Sequence, residues 1–379
     1  MGCVSPPTRA ATMGAVIELP AMLHDLELLV NTESPSLDLP LLTQSAQVLA
    51  DMMEARLGSA PAIVDGPAGP HVHWVGGGTP KVLIVGHHDT VFPVGSCAAR
   101  PFEVVDGKAT GPGVFDMKAG IVLAVHAVAA LADRSGVEIL ITSDEEVGSL
   151  TSRALLEERA LACGQVLVLE PSADGGALKT ARKGTGTFQL VVHGRSAHAG
   201  LEPEKGVNAL VAAAQLVGVV PTFADAAKGT TVTPTMATAG TAENVVPDEA
   251  RVVVDVRVEQ PGEKERVEAA FAGLAGASAA VPDARVEVSG GVGRPPMPAT
   301  ASAALFPIAV AAAEAAGLPP VHGVAVGGGS DGNFTAAVGV PTLDGLGAVG
   351  AGAHTPGEFV LVDTMVPRAR LLTELLRRL

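Results

Sequence analysis

Over the first 180 residues, short apolar runs bounded by turn residues alternate with longer stretches of helical spacing. Lys81-Val82-Leu83-Ile84-Val85 has no charge after its first position and is rich in β-branched side chains, which predicts a fully buried strand of a parallel sheet. Glu138 to Thr142 and Gln165 to Leu169 predict two more strands, and another pair is expected to end near His73-Trp74-Val75. Between them, Ala21 to Val30 and Leu41 to Leu57 carry helical periodicity, the second closed by Gly58, and Lys118 to Ala132 predicts a helix beginning just after Asp116. Strands and helices that alternate in this way build an α/β layer with a mostly parallel sheet.

Past about Thr180 the rhythm changes. Thr187 to Val192 and Arg251 to Val258 have strand character, while Asn208 to Val220 and Lys264 to Gly273 read as helices. This is compatible with the β-α-β-β-α-β order of a small α+β, ferredoxin-like domain. After Gly293-Arg294-Pro295-Pro296 the chain returns to an Ala-rich helix and strands and ends in a predicted helix, Val366 to Leu379. We therefore expect a catalytic α/β domain in two parts, 1–183 and 294–379, with a domain of 184–293 inserted between them; 379 residues suit two cores better than one.

Composition narrows the function classes. With 3% aromatic residues and no Tyr, the cores must be aliphatic. A net charge of −15 argues against a nucleic-acid partner, which needs a basic face. Cys3, Cys97 and Cys163 form no CxxC pair, which points to a reduced, cytoplasmic setting without disulfides. No stretch of about 18 apolar residues marks a membrane span. The start Met1-Gly2-Cys3 lacks an export signal, and Pro6 spoils a myristoylation pattern; Met13 is a second candidate start.

In open α/β sheets, residues just past the carboxyl ends of strands face the ligand crevice. Gly86-His87-His88-Asp89 follows the first buried strand, Ser143-Asp144-Glu145-Glu146 a second and Glu170-Pro171 a third. On extended backbone His87 and Asp89 share a side, so one position supplies an imidazole ligand and the next but one a carboxylate to orient it; His88 should point away. Asp89, Asp116, Glu145, Glu146 and Glu170, converging with no Lys or Arg among them, would repel one another unless cations neutralised them. Two zinc ions meet that need, and Asp116, with two oxygens, is the natural bridge. The glycine runs at 76–78 and 327–329 do not continue into Gly-Lys-Ser/Thr, so they are not nucleotide loops.

These blocks, with Gly111-Pro112-Gly113 through Lys118, Ser196-Ala197-His198-Ala199-Gly200, Gly328-Gly329-Ser330-Asp331 and His354 before Glu358, resemble the dinuclear zinc metallopeptidase family of glutamate carboxypeptidase, acetylornithine deacetylase, succinyl-diaminopimelate desuccinylase and the aminoacylases. The resemblance covers nearly the whole chain and is closest to the glutamate carboxypeptidase group. It implies that His87 and Glu170 bind one zinc, Glu146 and His354 the other, and that Asp116 bridges them. It makes Asp89 the orienter of His87, Glu145 the general base and His198 the oxyanion-stabilising histidine, often contributed across a homodimer formed by the inserted domain.

It also places Asn244, Arg257, Arg294 and the Gly329-Ser330 loop at the substrate, with Arg294 the favoured partner of a substrate carboxylate. Arg257 could equally pair with Asp255 or Glu259 on its own strand. The implied activity is cleavage of the amide bond of a peptide-linked or N-acylated amino acid, small-molecule substrates in either case. An N-acyl-amino-acid deacylase of the acetylornithine or aminoacylase kind is the alternative. Cobalt or manganese would also suit the ligand set.

Overall fold

A computed structural model describes residues 15–260 and 262–379. The readings on Cys3, the Met1-Gly2 start and Met13 lie outside the described residues. Contacts divide the chain into two units. The first holds the described residues to Thr180, with Thr300–Val324 and Val338–Leu379; the second holds Ala181–Ala299 and Ala325–Ala337.

The first unit is built on a six-stranded sheet in the order Ala62–Val64, His71–Val75, Val137–Thr142, Val82–His87, Val166–Val168, Thr342–Leu343. The last four are mutually parallel and His71–Val75 runs antiparallel to both of its neighbours, so the sheet is mixed with a parallel centre. Val82–His87 and Val137–Thr142 are buried at every position, as continuous apolar runs covered on both faces should be. Helix Ala119–Ala129 is likewise buried throughout and packs against the last helix, Met365–Leu376.

The polar residue in that buried helix is satisfied. His126 Nε2 lies 2.7 Å from Asp25, whose carboxylate also takes the Arg56 fork at 2.7 and 2.8 Å. This helix starts at Ala119 rather than Lys118 and ends at Ala129, before the expected Ala132, because Asp116 and Met117 hold non-helical dihedrals and Ala130 caps the end.

The second unit carries an antiparallel sheet ordered Thr231–Ala239, Glu249–Val258, Gly184–His193, Arg285–Arg294, Gly276–Ala277. Helices Ala209–Val219 and Glu263–Ala272 complete a β-α-β-β-α-β sequence in which the first strand lies between the third and the fourth. Val252, Val254, Val256 and Val258 alternate inward along Glu249–Val258, and Phe188 stacks on Phe271 at 3.8 Å between ring centroids. The stretch expected as an insert, 184–293, falls inside this unit. Residues 181–183, 294–299 and 325–337, expected with the catalytic domain, join it too, where Asn333 Nδ2 donates to the carbonyls of Lys183 (3.1 Å) and Pro295 (2.7 Å).

Candidate metal centre

Three adjacent parallel strands deliver the acidic and imidazole groups. His87 ends the central strand, directly opposite Thr142 on its neighbour. The chain beyond Thr142 turns through Ser143 and Asp144 into a single helical turn at Glu145–Val147, and Glu170 follows the strand Val166–Val168 on the other side.

Asp116 comes from the loop between Gly111 and the buried helix. Gly113 in that loop holds a φ of +73°, and a Cβ there would approach Thr90 Cγ2 to 2.6 Å, so glycine is required. His354 enters from a turn and itself adopts a φ of +63°, uncommon outside glycine.

His87 Nε2 lies 3.4 Å from Asp116 Oδ1, 3.7 Å from Glu170 Oε1 and 4.0 Å from Glu145 Oε2. His354 Nε2 lies 3.2 Å from Asp116 Oδ2 and 3.2 Å from Glu146 Oε2. The two Asp116 oxygens thus face different imidazoles, each with a further carboxylate at its side. Ligand atoms of His87, Glu145 and Glu170, and of His87, Asp116 and Glu146, form groups tight enough to hold a metal ion.

The donors also fit a cation electronically. His87 Nδ1 donates to the Asp89 carbonyl at 3.0 Å, so a neutral ring aims the Nε2 lone pair at carboxylates. His87 Nε2, Asp116 Oδ1 and Glu146 Oε1 are buried without a hydrogen-bond partner among the described residues. Burial pulls the His87 imidazole down, but the carboxylates of Asp116, Asp89 and Glu145 outweigh it and raise its pKa well above the ordinary value. Asp116 and Glu146 likewise push His354 up to about 10. Five carboxylates around two imidazoles create a field that demands positive charge, and divalent ions satisfy it while leaving the rings neutral.

Asp89 does more than its neighbour's bond suggests. Its carboxylate is 3.4 Å from His87 Nδ1, longer than the bond to its own carbonyl, so the carbonyl is the main orienter of the ring. The carboxylate instead accepts the N–H groups of Glu145 and Glu146, both at 3.2 Å, and the Ser36 hydroxyl at 2.8 Å. It therefore ties the His87 strand to the turn that carries the two glutamates. Ser36 is a participant that sequence reasoning missed, since a lone Ser in a polar turn carries no signal. His88 points away as expected, with Nδ1 3.0 Å from Ser45 Oγ and Nε2 3.0 Å from the Pro70 carbonyl.

The remaining predicted residues belong to the second unit. His198 is exposed, and its Nδ1 accepts the N–H groups of Gly200 and Leu201, both at 3.1 Å. The ring proton of neutral His198 therefore sits on Nε2, leaving that nitrogen an outward donor. Asn244 lies beside it, its carbonyl accepting from Ala199 N–H at 2.9 Å.

Arg257 spans Asp255 with both arms of its fork, at 3.0 and 2.8 Å, the same-strand pairing left open by the sequence. Arg294 is buried, 4.0 Å from Asp331 and over the Phe334 ring at 5.3 Å. In the glycine loop the carbonyls of Gly328 and Gly329 accept from Arg182, and Ser330 N–H donates to Asn333 at 2.9 Å. Ser330 N–H is thus engaged within its own loop.

A family profile described as Peptidase family M20/M25/M40 matches residues 83–378. Carboxypeptidase G2 of Pseudomonas sp. (strain RS-16) is 32% identical over 95% of this chain and 91% of its own length. A succinyl-diaminopimelate desuccinylase of Xanthomonas euvesicatoria pv. vesicatoria (strain 85-10) is 29% identical over 80% of this chain and 85% of its own. The crystal structure of aminopeptidase PepT from Bacillus cereus ATCC 10987 matches the fold with a TM-score of 0.76 at 24% identity, covering 95% of this chain and 98% of that one.

Proposed function

The chain belongs to peptidase family M20/M25/M40 and is a metallopeptidase-type hydrolase of that family, and from that premise we propose that it cleaves the amide bond of a peptide-linked or N-acylated amino acid with a free carboxylate. The observation that carries this reading is the division of Asp116, one oxygen toward His87 and the other toward His354. We assign His87 and Glu170 to one zinc ion, Glu146 and His354 to a second, and Asp116 to both. Bound there, zinc supplies Lewis-acid polarisation of the scissile carbonyl and brings the pKa of water down toward about 7. Glu145, whose position is fixed by its N–H bond to Asp89, takes the proton of the attacking water and returns it to the leaving amine.

In this reading His198 presents its Nε2–H to the oxyanion, a role its outward donor suits. Arg294 serves the substrate carboxylate, whereas Arg257, already spanning Asp255, is the weaker candidate. Asn244, Gly329 and Ser330 remain in the substrate set. A homodimer through the second unit is supported by the edge position of Thr231–Ala239, where Met236 is 64% exposed. No helix among the described residues is long and apolar enough to cross a membrane. Cys97 and Cys163 are both free thiols, which supports a reducing compartment, and we keep the enzyme in the cytoplasm.

The similarity to carboxypeptidase G2 supports a glutamate-type carboxypeptidase, and the desuccinylase similarity keeps an N-acyl-amino-acid deacylase as the second reading. Assaying zinc-, cobalt- and manganese-loaded protein on N-acyl amino acids and dipeptides, with a chelator control, decides between them. Fastest turnover on C-terminal glutamate conjugates is expected. Turnover that survives complete metal removal would overturn the proposal.

A further inference from the structure

We propose that Glu358 is a positioning residue that sets the Asp116 loop and links it to His354, an inference that rests on the metal-centre reading above. Its side chain is 1% exposed, too buried to touch a substrate. Its Oε1 accepts the N–H groups of Phe115 at 2.7 Å and Asp116 at 2.9 Å, and its Oε2 that of Gly113 at 3.0 Å. Three amides of one loop thus converge on one carboxylate contributed from the far end of the chain.

The local chain explains how Glu358 reaches that loop. Phe359 pairs with Thr110, so the strand Phe359–Leu361 runs beside Lys108–Thr110 and brings the residue just before it level with the Gly111–Asp116 loop. Upstream, Thr355 N–H donates to Gly352 at 3.0 Å and Glu358 N–H to Thr355 at 3.2 Å, folding residues 352–358 into a compact turn. His354 lies within that turn and Glu358 at its end. One short segment therefore holds Asp116 twice, its backbone through Glu358 and its carboxylate through the imidazole 3.2 Å away.

A bridging ligand tolerates little error, because displacing it spoils the distance to both ions at once. The carboxyl group is matched to this job by geometry, because both of its oxygens accept backbone N–H groups. A glutamine at 358 can keep Phe115 and Asp116 on its amide oxygen, but its NH2 then meets the Gly113 N–H donor against donor. Alanine leaves all three amides without an acceptor.

The test uses the full chain stripped of metal and titrated with zinc by calorimetry, for wild type, Glu358→Gln and Glu358→Ala. Alongside it, amide hydrogen exchange is followed in the zinc-free proteins. Outer partners of metal ligands typically change affinity about 10–100-fold, so zinc should bind roughly that much more weakly to Glu358→Gln and more weakly still to Glu358→Ala. Exchange at Phe115 and Asp116 should accelerate in both variants while the amides of Val82–His87 stay protected, which separates loss of the strap from loss of the fold. Unchanged zinc affinity with unchanged exchange at those two amides would overturn the proposal. A wild-type chain that takes up no zinc would defeat the metal reading instead, and the exchange of the zinc-free protein would still decide whether Glu358 holds the loop.

Discussion

Replacing Asp89 with alanine distinguishes an orienter of His87 from a strap across the site. An orienter alone would lose a 3.4 Å contact while His87 kept its 3.0 Å bond to the backbone carbonyl, a change under about 1 kcal/mol. The geometry predicts more. The fully buried carboxylate accepts from Ser36 Oγ and from the N–H groups of Glu145 and Glu146, and truncation leaves all three donors without it. At about 1–3 kcal/mol for each of the two amides left unsatisfied, and with the Ser36 hydroxyl still able to donate to the Thr90 carbonyl at 3.3 Å, the loss should be about 2–6 kcal/mol.

For large domains each kcal/mol moves the melting temperature by about 2–4 °C, so a drop of roughly 10 °C is expected for the first unit. Removing one negative charge also relieves repulsion, so wild type, Asp89→Ala and Asp89→Asn are compared by calorimetry at saturating zinc, with hydrolysis rates measured in parallel. The asparagine variant, retaining one acceptor oxygen, should fall between the others. A loss below about 1 kcal/mol in Asp89→Ala would refute the strap.

Other expectations follow from the same contacts. Glu145→Gln should keep its zinc, by elemental analysis, while kcat falls about 10²–10⁴-fold; full activity would remove Glu145 as general base. Zinc added to the stripped protein should stabilise it by about 2.7 kcal/mol per site at a hundred times Kd, and an unmoved melting temperature would contradict specific binding. In the second unit, Arg266, then Lys228 and Thr230, hold the Glu263 carboxyl down to about 2 from 4.5. Its folded value lies below the unfolded one, so its stabilisation is fully present above about pH 5 and is lost as pH falls toward 2. The melting-temperature gap between wild type and Glu263→Gln should therefore shrink on acidification; a gap independent of pH would show that the ion pairs are not its source.

The parts of the centre legible in the sequence are those where a short motif follows a strongly apolar strand. His87, Glu145, Glu146 and Glu170 declare themselves because strand ends in a parallel sheet face one crevice, Asp116 joins them as a two-oxygen bridge at the start of the buried helix, and His354 through motif resemblance. Hydrogen bonds from side chain to distant backbone are invisible at that level. Asp89's grip on the glutamate turn and Glu358's on the Asp116 loop depend on which amides a fold brings near, and neither has a spacing rule.

In the second unit the pattern reveals Gly184–His193 and Glu249–Val258 but obscures the other long strands. Thr231–Ala239 contains Pro234 and a register shift between Pro234 and Met236, and Arg285–Arg294 contains Gly290, Gly291 and Gly293 with a shift before Arg294. Proline and glycine are tolerated there because an edge or bulge releases the ladder from strict pairing. Arg257 shows the converse limit: an arginine suited to a substrate carboxylate is equally suited to the aspartate two residues away, and coordinates are needed to see which it meets.

Counting metal ions on the purified chain by elemental analysis, for wild type and for Asp116→Ala, addresses the shared aspartate directly. Two divalent ions per wild-type chain and loss of bound metal from the variant are the expected values. A variant that still holds two ions, or a wild type that never holds more than one, would contradict a pair of cations joined through Asp116.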